Sequence, residues 1–260
     1  EAENAMAEGA YRRAVEQFRR AVQTEPRTWV KRKIIGQLVR CHAALGEVDV
    51  ACDMFFLLTA SDPATADFDA IPLAWTADES VPKGQAVGWL ERIDNPAAML
   101  LGASHLLSTD RRDTALVALR KLAAADDRAI ASLAQAQLWR AEAFRASAED
   151  IARWREQIEA MPEPLRAGPY FIVGAALARL EQWDEAAIAQ LRVPILYSQD
   201  RVLSASALLS AGRALEKSGR ADEAKRLYEE VVRDYGSLGA AEEAKVGFGS
   251  LKKLSESSGD

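Results

Sequence analysis

The sequence predicts an all-α fold built from stacked antiparallel helical hairpins, and three observations predict it. A phrase recurs: GAYRRAVEQFRRAVQTEP, Gly9 to Pro26, returns as GEVDVACDMFFLLTASDP, Gly46 to Pro63, and its first half returns as EQWDEAAIAQL from Glu181 and GRADEAKRLYEEVV from Gly219. The composition is helical, with 49% hydrophobic and only 7% aromatic residues and few runs of Val, Ile or Thr that would read as strands. The apolar spacing within each repeat is that of one helix face. A hairpin of this kind cannot bury its apolar side alone, so repetition at this period implies a solenoid in which neighbours stack.

The second helix of each hairpin opens on a small residue: Ala14, Ala51, Ala186 and Ala224. Four positions on stand Phe18, Phe55, Gln190 and Tyr228, and seven on stand Ala21, Leu58, Val193 and Val231. A small residue lets the partner helix approach, and the larger ones fill the space beside it. Gly9, Gly46 and Gly219 end the preceding helices where a left-handed residue is wanted, and Tyr11, Val48 and Trp183 follow as apolar plugs. Pro26 and Pro63 stop the second helices.

Between Pro63 and Pro96 the repeat signal fails, and residues 64–96 read as an ordered insertion, because Phe68, Ile71, Leu73 and Trp75 are too apolar for a free linker. One helix is expected within it, from Pro82 to Ile93. Helical patterning resumes over Ala97–Leu107, Asp113–Ala125, Arg128–Arg145 and Ala148–Met161, as two further hairpins of the same array. Pro169 suits a helix start, whereas Pro194 is expected to end or kink its helix, leaving Ile195, Leu196 and Tyr197 as an extended plug. A single solenoid over residues 1–254 and a polar, disordered tail over 255–260 complete the expected organisation.

The spacing of Gly or Ala in the first helix, Ala in the second, an aromatic four further and a closing Pro resembles the tetratricopeptide-repeat (TPR) family. Gly9 to Pro26 and Val202 to Val232 carry it best, the latter with Leu208, Gly212 and Leu215 at first-helix positions; Tyr170, Val173, Gly174, Leu177 and Ala186 carry it in the repeat before. The interval from Ala14 to Ala51 is 37, longer than the family's usual unit, so the array is divergent. The resemblance implies a right-handed α-α superhelix. The last unit, with Tyr235, Gly236 and Ser237 where a Tyr-Pro-x-Ser step is usual, is similar to repeats of bacterial envelope proteins. That implies the bacterial periplasm or cell envelope, with the cytoplasm as the alternative, and the start at Glu1 suits a processed or trimmed product.

The net charge of -6 argues against nucleic-acid binding by the whole molecule, which needs clustered cations to displace counterions. Arg12, Arg13, Arg19, Arg20, Arg27, Lys31, Arg32 and Lys33 make the first repeats basic, but helical spacing spreads them around the hairpin as a solvated face. No run of about 18 apolar residues exists to span a membrane. Cys41 and Cys52 flank the turn at Gly46, where antiparallel helices could bring them together as a disulfide in an oxidising compartment, although two small residues filling a helix contact is the plainer reading.

Catalytic material is scarce. The two histidines, His42 and His105, offer no Ser-His-Asp or Cys-His arrangement, since Cys41 and His42 diverge on their helix and His105 reads as a packing histidine. Neighbouring carboxylates such as Asp126 with Asp127, or Glu229 with Glu230, diverge by about 100° on a helix. No phosphate-binding loop, His-Glu-x-x-His string or four-ligand zinc spacing occurs, so no cofactor and no metal are expected. Of six tryptophans, Trp139, Trp154 and Trp183 read as core, whereas Trp75 and Trp89 are the ones that could line a pocket.

The expected function is therefore a non-catalytic interaction scaffold. The family resemblance implies ligand contacts from the first helices of successive hairpins, here Lys33, Arg40, Phe171, Ala175, Arg213 and Lys217 on a concave face. Four of these six are cationic, which predicts an extended or acidic peptide segment of a protein partner, held by charge-assisted hydrogen bonds and a few apolar pockets. The alternative is the helical part of a larger envelope enzyme or complex, as in lytic-transglycosylase-like assemblies, with its chemistry elsewhere.

Overall fold

The structure, a computed structural model, describes residues 1–61, 71–76, 81–198 and 200–257. Among the described residues there are fourteen α-helices and two short 3-10 turns, with no strand. The helices gather into two compact units, Glu1–Ala141 and Glu142–Asp260. The first holds α1 (Ala2–Ala7), α2 (Tyr11–Thr24), α3 (Thr28–Ala44), α4 (Val48–Ser61), α5 (Lys83–Leu90), α6 (Pro96–Leu106), α7 (Arg112–Ala123) and α8 (Arg128–Glu142). The second holds α9 (Ala148–Glu159), α10 (Ala167–Arg179), α11 (Trp183–Leu196), α12 (Arg201–Lys217), α13 (Ala221–Asp234) and α14 (Gly239–Ser257).

Four helix ends are built alike, at the turns α1–α2, α3–α4, α10–α11 and α12–α13. Gly9, Gly46 and Gly219 take φ of +73°, +76° and +83°, the left-handed region that costs glycine nothing. The residue after each donates its N–H to the carbonyl five positions back: Ala10 to Ala5 at 2.8 Å, Glu47 to His42 at 2.9 Å and Arg220 to Leu215 at 2.9 Å. The fourth turn makes the same bond, Gln182 to Leu177 at 3.0 Å, but its left-handed residue is Glu181 at φ +60°. Each turn folds a helix back onto its predecessor, and the paired helices pack together.

The predicted small-aromatic-aliphatic faces are the buried ones. Ala14 and Phe18 of α2 pack with Ala5 of α1 and with Leu38 and Cys41 of α3, while Ala51, Cys52, Phe55 and Leu58 are buried along α4. In the second unit the ring of Tyr228 on α13 lies between two glycines, Gly212 of α12 and Gly247 of α14. A methyl group at either would stand 2.6 or 2.8 Å from the ring, closer than carbon atoms approach. Gly102 has the same role in the first unit, where a side chain would strike the α5 backbone at 2.5 Å.

Several expectations are corrected. Pro194 does not end α11, which runs on to Leu196; the ring forfeits one amide bond of the last turn, where the helix is about to stop anyway. Ile195 and Leu196 are exposed and form no plug; only Tyr197 is buried, stacked on Tyr170 with ring centres 6.2 Å apart. Trp139 and Trp154 are core, but Trp183 is half-buried, and Trp75 and Trp89 are buried too. The last helix reaches Ser257, so the polar run from Ser255 begins as helix and not as a tail. Cys41 and Cys52 are separate buried thiols, one in the α1–α2–α3 core and the other facing α6. Residues 62–70 and 77–80, among them Pro63 and the expected insertion's Phe68, lie outside the described residues.

Candidate functional site

The six residues expected to contact a ligand fall as two and four. Lys33 and Arg40 lie two turns apart on α3 in the first unit; Phe171 and Ala175 on α10, with Arg213 and Lys217 on α12, lie in the second. Lys33 is exposed, its ammonium 5.5 Å from the ring centre of Trp29, which also carries Arg27 at 5.6 Å. Arg40 is half-buried. Arg213 is exposed and bonds Glu243 of α14 at 2.6 Å, so its charge is already answered. Ala175 and Lys217 are exposed, but Phe171 is buried and offers an incoming ligand no surface; its carbonyl accepts from Gln190 Nε2 at 3.1 Å.

The polar constellation in the first unit that the sequence reading did not anticipate surrounds Ile71–Thr76. This stretch, neither helix nor strand and turned tightly at Pro72 by the Leu73 N–H to Ile71 carbonyl bond at 2.9 Å, lies across α6 and α8, with Leu73, Ala74 and Trp75 buried. Its main chain is read by side chains. Arg140 Nη1 donates to the carbonyl of Ala74 at 2.5 Å, and Arg140 Nη2 to that of Thr76 at 3.1 Å. Gln137 Nε2 adds a bond to the same Ala74 oxygen at 3.1 Å, and Ser104 Oγ accepts the Ala74 N–H at 3.3 Å. Arg140 is itself fixed by the Ser104 carbonyl at 3.0 Å, Gln137 Oε1 at 3.1 Å and Ser108 Oγ at 3.1 Å. A guanidinium suits this task, because its donors form a rigid fork that can meet several carbonyls at once. Polar residues inside the apolar strings LLGASHLL and LAQAQLWR were the available signal, since a buried polar side chain needs a partner.

The structure also brings a cysteine to a histidine. Cys52 Sγ lies 3.5 Å from His105 Nε2, beneath the T-shaped contact of His105 with Trp89. The same Nε2 is 3.0 Å from the Pro72 carbonyl, which can only accept, so this nitrogen carries the proton and has no lone pair for the thiol. With Cys52 wholly buried, the pair anchors Pro72 and does not present a nucleophile. His42 is likewise structural: Nδ1 donates to Glu47 Oε2 at 2.6 Å and Nε2 receives Arg19 at 3.5 Å. Burial pushes the Cys41 thiol up to about 11, which keeps it protonated at neutral pH.

In the second unit Glu159 of α9 gathers Tyr170, Arg166 and Arg192. Arg166 Nη1 meets it at 3.1 Å, and Arg192 Nη1 donates to the Tyr170 hydroxyl at 2.6 Å. The Tyr170 hydroxyl bond and then the two guanidiniums hold the Glu159 carboxyl below the usual range. These bonds join α9, α10 and α11.

Among the described residues no three His, Cys, Asp or Glu side chains group as a metal site, and no helix is long and apolar enough to cross a membrane. The chain is thus an all-α protein of helical hairpins, with a side-chain cradle on α6 and α8 for a non-helical main-chain segment. No protein-family model matches the sequence, and no curated protein matches it.

Proposed function

We propose that this protein is a non-catalytic scaffold of the TPR kind, which holds an extended or acidic peptide segment of a protein partner against the first helices of its hairpins. The observation that supports the reading is the Ile71–Thr76 cradle. The helices α6 and α8 coincide with the first helices of the two hairpins expected over Ala97–Met161, and side chains on both grip a non-helical segment through its backbone. On α3 in the first unit and, separately, on α12 in the second, Lys33 and Lys217 are the exposed cations that would meet a segment from another chain. The Tyr235-Gly236-Ser237 step supports the bacterial envelope as its setting.

The test is affinity capture from a lysate of the source organism, comparing the native chain with a Lys33→Glu, Lys217→Glu variant. Lys217 enters no ion pair among the described residues, so its reversal does not break the helix contact that reversing Arg213 would break at Glu243. The expected result is one dominant partner, retained by the native chain and reduced at least tenfold by the variant at unchanged helicity. Equal recovery by both would refute binding at these first-helix positions.

A further inference from the structure

Within the first unit, α5, α6 and α7 enclose a cleft of about 320 Å³, at the lower end of the range for ligand sites. Val87 and Leu90 of α5, Met99 and Leu106 of α6, and Val117 and Ala118 of α7 make its walls almost wholly apolar. At the mouth, Ile93 is 75% and Val117 65% exposed, an unusual outlay of large apolar side chains beside an open apolar space. The charges there are Arg111, Lys121 and Glu91, two cations to one anion. Among the described residues none of the three enters an ion pair. Arg111 immediately precedes α7 and Lys121 stands in its last turn, so the cations mark the two ends of the trough, roughly 15 Å apart along the helix.

We propose that this cleft binds a free single-chain anionic amphiphile of the fatty-acid type, its hydrocarbon between α5, α6 and α7 and its carboxylate on Arg111 or Lys121. The lining decides the body of the ligand. Walls with almost no donors or acceptors would leave an extended peptide backbone unsatisfied, whereas a hydrocarbon chain loses nothing there. A peptide helix, about 10–12 Å across, could lay only side chains into a space of this volume. The rim decides the head, because a carboxylate gains from either cation and an ammonium would find only Glu91. Met99 suits the role, as its flexible thioether adapts to a chain without a fixed shape.

The experiment is calorimetric titration of the full chain with dodecanoate and with dodecyltrimethylammonium, both below their micelle-forming concentrations. One dodecanoate is expected per chain, bound at least tenfold more tightly than the cation of equal chain length. Val117→Glu, at an exposed position that folding does not need, is expected to weaken dodecanoate at least tenfold, and Ala118→Trp to fill the cleft and abolish binding. Arg111→Glu with Lys121→Glu is expected to erase the preference for the anion, whereas Lys245→Glu on α14 leaves it intact. Absence of dodecanoate binding, equal binding of the two amphiphiles, or binding indifferent to Val117→Glu overturns the proposal. So does a concentration-dependent dimer, seen by sedimentation and lost with Val117→Glu, since a second copy would then cover the cleft.

Discussion

Arg140 does at one position what a strand partner would do in a sheet: it gives donors to a main chain that has no secondary structure of its own. Replacing it with Met keeps the aliphatic bulk and removes those donors, so the Ala74 and Thr76 carbonyls lose their guanidinium bonds. Buried acceptors left without a partner cost about 1–3 kcal/mol each, and Gln137 still serves Ala74. Arg140→Met is therefore expected to lower stability by about 1–3 kcal/mol in denaturant titration. It is also expected to speed amide exchange in Leu73 and Trp75 ahead of the helices. Exchange unchanged in that stretch would mean that Leu73 and Trp75 hold it by packing alone.

The turns are the elements in which sequence and structure agree most closely, because a left-handed residue and one backbone bond define them. Glu181 tests that account: it holds φ +60° with a Cβ that the conformation disfavours. Glu181→Gly is expected to raise the thermal midpoint, by about 0.5–1 kcal/mol of stability, and Gly46→Ala to lower it by about 1 kcal/mol. A loss on Glu181→Gly would show that its side chain contributes more than its backbone costs. The small-aromatic faces were legible for the same reason, since Ala14, Phe18, Ala224 and Tyr228 sit at fixed offsets on one helix side. Pro194 was misread because its cost depends on how many helical residues follow it, and only two do. Phe171 was misassigned to a binding face because aromatic first-helix positions can turn inward or outward with a small rotation of the helix. The α6–α8 cradle was not legible at all: Ala74 and Arg140 are 66 residues apart, and no local period links them.

At the scale of the whole molecule, the shifted acids set a pH window. Glu25, Asp110, Asp150, Glu159, Glu223 and Asp234 have native values below the ordinary ones, Glu25 at about 2, chiefly through bonds to Arg27, Lys83, Ser147, Tyr170, Arg220 and Arg233 in turn, and they outnumber Asp200, which burial holds above its ordinary value. Their contribution is complete above about pH 4.5 and is lost as pH falls, because the unfolded chain takes up protons first. Tyr170, Tyr197 and Tyr228 are shifted the other way, first by burial. Their contribution is complete below about pH 10 and is lost as pH rises, because the unfolded chain releases its protons first. With the raised Cys41 thiol included, the thermal midpoint is expected to be flat between about pH 5 and 8 and to fall on both sides, more shallowly at the acid end in a Glu159→Gln variant. A midpoint still rising as pH falls from 5 to 3 would contradict this.

The distance along the chain between Ala74 and Arg140 also governs how the protein can be made. A ribosome delivers about 5–20 residues per second, so Ala74 emerges roughly 3–13 s before the arginine 66 positions later that will hold its carbonyl. During that interval α1 to α4 can already close over Phe18 and Phe55, while the stretch that follows them has no α8 to lie against. A nascent chain halted before position 140 would thus present an apolar, unpaired backbone to whatever is nearby. Synthesis rate, more than final stability, is where this segment exposes the protein to aggregation and to the chaperones that meet emerging chains.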